Sequence, residues 1–239
     1  MVKASAESLV SAVELTKIYK TGDVEVEALR GVTLRISPGE FLAIVGPSGS
    51  GKTTLLNLIG ALDSISDGQL HVLGEDMARL NRRRRADLRL KSIGYVFQAY
   101  NLVPVLTARE NVEFVLELQG TGGRANRARE VLDELGLADL ADRRPLEMSG
   151  GQQQRVAVAR AVASRPRLII ADEPTANLDG DNAAILLKMM RKLNAEHGTT
   201  FVLSTHDPRV VAHTHRVVTL VDGRVASDEA KEPVPLDAK

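Results

Sequence analysis

The sequence predicts an α/β fold interrupted by a helical insertion, and three observations carry that prediction. Phe41-Leu-Ala-Ile-Val45 runs apolar without alternation, as a strand buried on both faces would, and a Gly/Ser-rich turn leads from it into an amphipathic helix. From Thr107 to Ala163 apolar residues recur at three- and four-residue spacing. A strand–helix–strand pattern then follows. With 239 residues, 44% of them apolar, the chain can bury a sizeable core as one domain.

The elements follow in order. Val10–Ile18, Ala28–Ile36 and Glu40–Val45 read as strands between Gly and Asp turns, with Gln69–Val72 as another. The helix after the glycine-rich turn spans Gly51 to about Leu62 and puts Leu55, Leu58, Ile59 and Leu62 on one face. In the helical stretch, Ala108–Glu117, Asn126–Leu135 and Gln152–Ala163 are separated by Gly120-Thr-Gly-Gly and by Asp142–Met148. Leu168–Ala171, Asn182–Glu196 and Thr200–Ser204 supply the strand–helix–strand unit. Asp222-Gly223, between Val217–Val221 and Arg224–Ala226, signals a hairpin. From Asp228 onward the residues are polar with two prolines and read as a loose tail.

Composition excludes several functions. Lys plus Arg equals Asp plus Glu at 31 each, so no global field draws in nucleic acid. The absence of cysteine removes disulfides, thiol catalysis and Cys-based metal sites together. No apolar run approaches the ~18 residues of a spanning helix, and Met1–Glu7 lacks the apolar segment of a signal peptide. The expectation is a soluble, cytosolic chain that reaches a membrane only through a partner.

Two motifs carry chemistry. Gly46-Pro-Ser-Gly-Ser-Gly-Lys-Thr53 matches G-x-x-x-x-G-K-[ST] between a buried strand and a helix. Its glycines let successive backbone N–H groups curl around phosphate oxygens, and the helix adds its positive end. Lys52 is the candidate for the β- and γ-phosphates, and the Thr53 hydroxyl for Mg²⁺. Arg167-Leu-Ile-Ile-Ala-Asp-Glu-Pro174 is an apolar strand ending in two carboxylates, expected beside the phosphate loop. There Asp172 would hold Mg²⁺ through water, and Glu173 would polarise the water that attacks the γ-phosphate.

Between these motifs, Met148-Ser-Gly-Gly-Gln-Gln-Gln-Arg155 opens a helix, and the combination resembles the ABC ATPases over roughly Val10 to Ala226. Met148 stands where that family usually has Leu, a hydrophobe of similar volume. The resemblance implies a P-loop NTPase core, RecA-like, with an N-terminal antiparallel β subdomain and a helical insertion. It divides the single domain 1–239 into a core over 1–97 and 161–227, an insertion over 98–160 and a polar tail over 228–239. ATP is then held by Gly46, Pro47, Ser48, Gly49, Ser50, Gly51, Lys52, Thr53 and Thr54, with Tyr19 stacked on adenine. Gln98 resembles the glutamine that contacts Mg²⁺ and links core to insertion; Mg²⁺ is thus assigned to Thr53, Gln98 and Asp172. Asp179, in Ala176-Asn-Leu-Asp179, resembles the D-loop at a dimer seam, and His206 resembles the switch histidine at the γ-phosphate.

The same resemblance implies partners. Ser149, Gly150, Gly151 and Gln152 would serve the ATP on an opposite subunit, so two copies pair head to tail. Gln98-Ala-Tyr-Asn-Leu-Val-Pro-Val-Leu-Thr-Ala-Arg-Glu-Asn-Val112 resembles the lipoprotein-release and macrolide-export branch. That branch implies a homodimer docked from the cytoplasmic side on a permease that it drives mechanically. A cell-division ATPase is the alternative within the family. A soluble ABC ATPase acting on nucleic acid or ribosomes is the alternative outside transport; neither coiled-coil heptads nor a second phosphate loop supports it. Asn81-Arg-Arg-Arg-Arg85 reads first as a solvated helix face, with anionic lipid headgroups or the permease as the other reading. Nucleic acid ranks last there, because no aromatic platform surrounds it.

Overall fold

A computed structural model describes residues 8–235; Met1–Glu7 and residues 236–239 of the expected tail lie outside the described residues. The chain begins β1 (Val10–Thr21), β2 (Val24–Ile36), β3 (Phe41–Val45), α1 (Lys52–Ile59), β4 (Asp67–Val72) and β5 (Glu75–Asp76). It continues α2 (Arg82–Ser92), β6 (Ile93–Val96), α3 (Ala108–Leu118), α4 (Arg124–Glu134) and α5 (Gly150–Val162). The last stretch is β7 (Leu168–Asp172), α6 (Gly180–His197), β8 (Thr200–Ser204), α7 (Pro208–Ala212), β9 (Arg216–Val221) and β10 (Arg224–Ala230).

Two sheets result. A four-stranded antiparallel sheet has the order β2-β1-β4-β5. A six-stranded sheet has the order β10-β9-β3-β8-β7-β6, parallel from β9 to β6, with β10 antiparallel at one edge. Residues alternate across the parallel strands, so their apolar runs feed two cores. Phe41, Ile169, Ala171, Phe201 and Leu203 face one core, shared with α3 to α6. Leu42, Ile44, Leu168, Ile170 and Val202 face the other, shared with α1 and the antiparallel sheet. The larger sheet is therefore covered on both sides, and only its strand ends are free to form a site.

Several elements differ from the sequence expectation. The β1–β2 hairpin extends to a tight turn at Gly22, pairing Tyr19 with Val26 and Lys20 with Glu25. Val24 and Val26 are exposed there, so no buried face marks the strand in the pattern. α1 stops at Ile59 because Gly60 and Ala61 (φ 60°) leave the helical conformation, and Leu62 lies outside the buried face to which it was assigned. β6 has four residues and was not expected at all. The assignment of Asp228 onward to a loose tail is corrected: Asp228–Ala230 belong to β10. They pair with β9, and the Asp228 carboxylate receives the Arg216 guanidinium at 2.6 Å. Beyond the strand, the Lys231 and Val234 N–H groups donate to His215 and Ala212. Arg216 also reaches Glu40 at 2.9 Å, and these two carboxylates raise its pKa further above the ordinary arginine value.

Phe41 and Phe201 sit at paired positions of β3 and β8, fully buried, with ring centroids 5.3 Å apart. Phe201→Ala should cost about 3–5 kcal/mol of unfolding free energy, and Phe201→Leu less because the void is smaller. Urea denaturation measures both; equal midpoints for wild type and Phe201→Ala would contradict this packing.

Candidate functional site

The site forms where β3, β8 and β7 end together, the carboxyl edge at which open α/β sheets place ligands. Here a cleft of about 860 Å³ is lined by the phosphate loop apart from the buried Ser50, and by Gln98, Glu173 and His206, with Glu27, Arg30 and the Asp222-Gly223 turn also in the lining. Gly46 leaves β3 at φ 148°, and a Cβ there would lie 2.1 Å from the Leu220 carbonyl oxygen of β9. Only glycine lets the loop start so close to the neighbouring strand. Lys52 Nζ donates to the Gly46 and Pro47 carbonyls at 2.8 and 3.0 Å, which holds the ammonium across the loop.

The acidic strand end is one strand further from the loop than expected. β8 stands between β3 and β7, yet Thr53 Oγ1 donates to Asp172 Oδ2 at 3.2 Å. Ser204, fully buried at the end of β8, closes the gap: its hydroxyl donates to Asp172 Oδ1 at 2.5 Å and accepts the Glu173 N–H at 3.0 Å. Glu173 has φ 47°, a left-handed conformation that costs a non-glycine residue on the order of 1–3 kcal/mol. Its carboxylate meets His206 Nδ1 at 3.0 Å. The glutamate side chain is only 17% exposed and the histidine 72%, so the pair runs from the sheet edge out into the cleft.

Other expected residues lie elsewhere. Tyr19 is outside the cleft lining: its phenol donates to Asp63 Oδ2 at 2.9 Å, and Lys17 Nζ stands 4.8 Å from its ring centroid. Burial and the Asp63 hydrogen bond raise its pKa. Ser149, Gly150, Gly151, Gln152 and Asp179 do not line the cleft either. Ser149 caps α5 in a reciprocal box with Gln152, accepting its N–H at 3.3 Å and donating its own to Gln152 Oε1 at 2.9 Å. Asp179 caps α6; the Asn182 N–H, at 2.9 Å, holds its carboxyl below the ordinary range. The two caps adjoin, since a Cβ on Gly151 would meet Asn182 Oδ1 at 2.5 Å.

Three groups escaped the sequence reading. Ser204 ends an apolar strand just before Thr205-His206, a polar terminus that was a usable signal. Gln154, one helical turn beyond Gly150 and buried, donates to the Phe97 and Pro174 carbonyls at 3.3 and 2.8 Å. Arg30 adds a cation to the cleft besides Lys52, paired with Glu27 at 3.5 Å; nothing in the sequence marked it.

A glycine-rich loop, an acidic strand end and a histidine meeting at one edge of a doubly covered parallel sheet define a phosphate-loop ATPase. Residues 29–176 match the family model described as ABC transporter, and the chain belongs to that family as an ATP-binding cassette. It is 46% identical to a lipoprotein-releasing system ATP-binding protein LolD of Caulobacter vibrioides, over 92% of this chain and 96% of the relative. It is 43% identical to the macrolide export ATP-binding/permease protein MacB of Syntrophobacter fumaroxidans over 90% of this chain, which spans 31% of that protein's length. The solved dimeric cassette MJ0796, bound to ADP and Pi in a post-hydrolysis state, is 42% identical with a TM-score of 0.86, over 92% of this chain and 98% of that one.

Three variants test the site. Lys52→Ala removes the ammonium held across the loop, so ATP affinity should weaken and turnover disappear; near-normal ATPase activity would remove Lys52 from the phosphate site. Ser204→Ala deletes a hydrogen bond to a carboxylate, a contact worth about 1.5–3 kcal/mol, and should lower kcat about tenfold or more while ATP affinity holds. Ser204→Thr keeps the hydroxyl and should restore most of the rate, whereas a purely structural loss would move the melting temperature alone.

Proposed function

We propose that the chain is the ATP-hydrolysing subunit of a membrane complex, pairing head to tail with a second copy around two ATP molecules. The observation that carries this reading is the separation of the signature from the cleft. One chain holds one phosphate loop and one Ser149–Gln152 helix start, and the latter lines no part of its own site. A second copy can supply it, and the dimeric form of MJ0796 supports pairing of two copies. Names of the relatives, lipoprotein-releasing ATP-binding protein and macrolide export ATP-binding/permease protein, support a permease partner of export or mechanotransmission type. Among the described residues no helix is long and apolar enough to cross a membrane. The names of the relatives support a chain that acts at the cytoplasmic face through that permease.

In this reading Glu173 accepts the proton of the attacking water, with His206 Nδ1 holding its carboxylate at 3.0 Å. Lys52 and the loop amides hold the phosphates, and Tyr19 reaches adenine from beside the cleft. The oxygen donors Thr53 and Asp172, already 3.2 Å apart, suit a hard divalent cation, and Gln98 lines the cleft together with Thr53. Mg²⁺ held there would neutralise charge on the phosphates. A groove of about 440 Å³ offers a surface for the permease. Phe97, Leu90 and Val103 line it, and the exposed Leu62, Phe114 and Leu118 stand at its edge.

Glu173→Gln keeps the side chain's size but cannot take the water's proton, and hydrolysis should fall ~10²–10⁴-fold. ATP should still bind, so a stable dimer should elute in size-exclusion chromatography with Mg-ATP while wild type stays mostly monomeric. Wild-type turnover in the variant would withdraw Glu173 as base. Ser149→Arg should leave ATP binding to the monomer intact and abolish ATP-dependent dimerisation; a dimer formed as readily as in wild type would count against the head-to-tail arrangement.

A further inference from the structure

The chain is neutral overall, yet residues 75–91 hold seven arginines and lysines against three carboxylates and contain no aromatic residue. Four of the seven, Arg82 to Arg85, form the start of α2. Arg82, Arg83 and Arg84 are exposed and Arg85 is half-buried. Among the described residues none of the four forms an ion pair, whereas Arg79 pairs with Asp76 at 3.0 Å. This is a poor place to gather cations. The first turn is the positive end of the helix dipole, it contains no acidic residue, and like charges three positions apart repel. Asn81 Oδ1 accepts the Arg84 N–H at 2.9 Å and keeps the turn formed. No residue of α2 is fully buried, so the guanidinium groups do not hold a core together.

The position of α2 says what the charge is for. Ala86, Arg89 and Leu90 of the same helix line the apolar groove edged by Leu62, Phe114 and Leu118. A cationic turn thus borders an exposed apolar surface on one side of the molecule. We infer that Arg82–Arg85 make an electrostatic contact with the anionic headgroups of a lipid leaflet. Unpaired cations beside an exposed apolar rim complement such a leaflet, which presents anionic headgroups next to apolar chains. The contact rests on charge outside the ATP cleft, so it stands or falls separately from the ATPase reading.

Each basic residue near an anionic leaflet strengthens binding roughly fivefold, so four should contribute about 10²–10³-fold. The test is flotation of the full chain with phosphatidylcholine vesicles, with and without about one third phosphatidylglycerol, at low and high salt. Binding is expected only to the anionic vesicles and should be lost at high salt. Replacing all four arginines by glutamine should abolish it, while replacing all four by lysine should retain it. ATPase activity of both variants should match wild type and shows that they fold. Equal binding to neutral vesicles, or anionic binding untouched by the glutamine variant, would overturn the inference. Tighter arginine-dependent binding to a DNA or RNA oligonucleotide than to the anionic vesicles would overturn it too.

Discussion

The parallel register of β3, β8 and β7 is the constraint on which the site depends. Ile44 pairs with Ser204, and Ser204 with Asp172, so three strand ends stop level with one another. Ser204 then has the neighbouring strand's Asp172 and Glu173 within reach of one hydroxyl. A slip of one residue would turn Ser204 to the other face of the sheet and send Phe201 out of its core. The packing that buries Phe41 against Phe201 therefore also sets the depth of Asp172 relative to Thr53. Core and site are two readings of the same register.

The cleft is tied to the helical segment by polar contacts rather than by apolar packing alone. Tyr100 and Asn101, both at positive φ, follow Gln98 and are held by the Arg160 guanidinium through their carbonyls. Asn177 donates to the Gln98 carbonyl at 3.0 Å, and Gln154 bonds both Phe97 and the Pro174 carbonyl that follows Glu173. α5, which Ser149 caps, thus grips the chain on either side of the cleft. Burial of Arg160 lowers its pKa, and a charge placed there is retained because two carbonyl dipoles face it.

What the sequence disclosed follows from how local each feature is. The phosphate loop is legible because its chemistry is spelled in eight consecutive residues, and β3 because a five-residue apolar run has no other good use. Asp172 and Glu173 are legible for the same reason. The insertion of β8 between β3 and β7 is not, since strand order depends on crossovers that no short window contains. Arg30 and Glu27 reach the cleft only because the antiparallel sheet folds against the Asp222-Gly223 turn; the Arg30 N–H donates to the Gly223 carbonyl at 2.8 Å. The outer half of the β1–β2 hairpin stayed hidden because both its faces meet water, which erases the alternation that marks a strand.

In the proposed dimer, the helix start at Ser149 is the part of the site that a second copy supplies. The Gln152 N–H near the start of α5 is satisfied within the chain, but by a hydrogen bond of 3.3 Å to Ser149 Oγ, long for a cap. An anion arriving at that helix start would offer a charged acceptor in place of a neutral hydroxyl, and charge-assisted bonds are roughly twice as strong. The exchange costs little and gains more, provided the anion belongs to another molecule, because this helix start lines no part of its own cleft. Asp179 caps α6 alongside it and keeps the adjoining backbone in shape before a partner arrives. In the head-to-tail dimer proposed above, both helix starts are therefore pre-formed, and binding energy goes into joining the copies instead of ordering the surface that joins them.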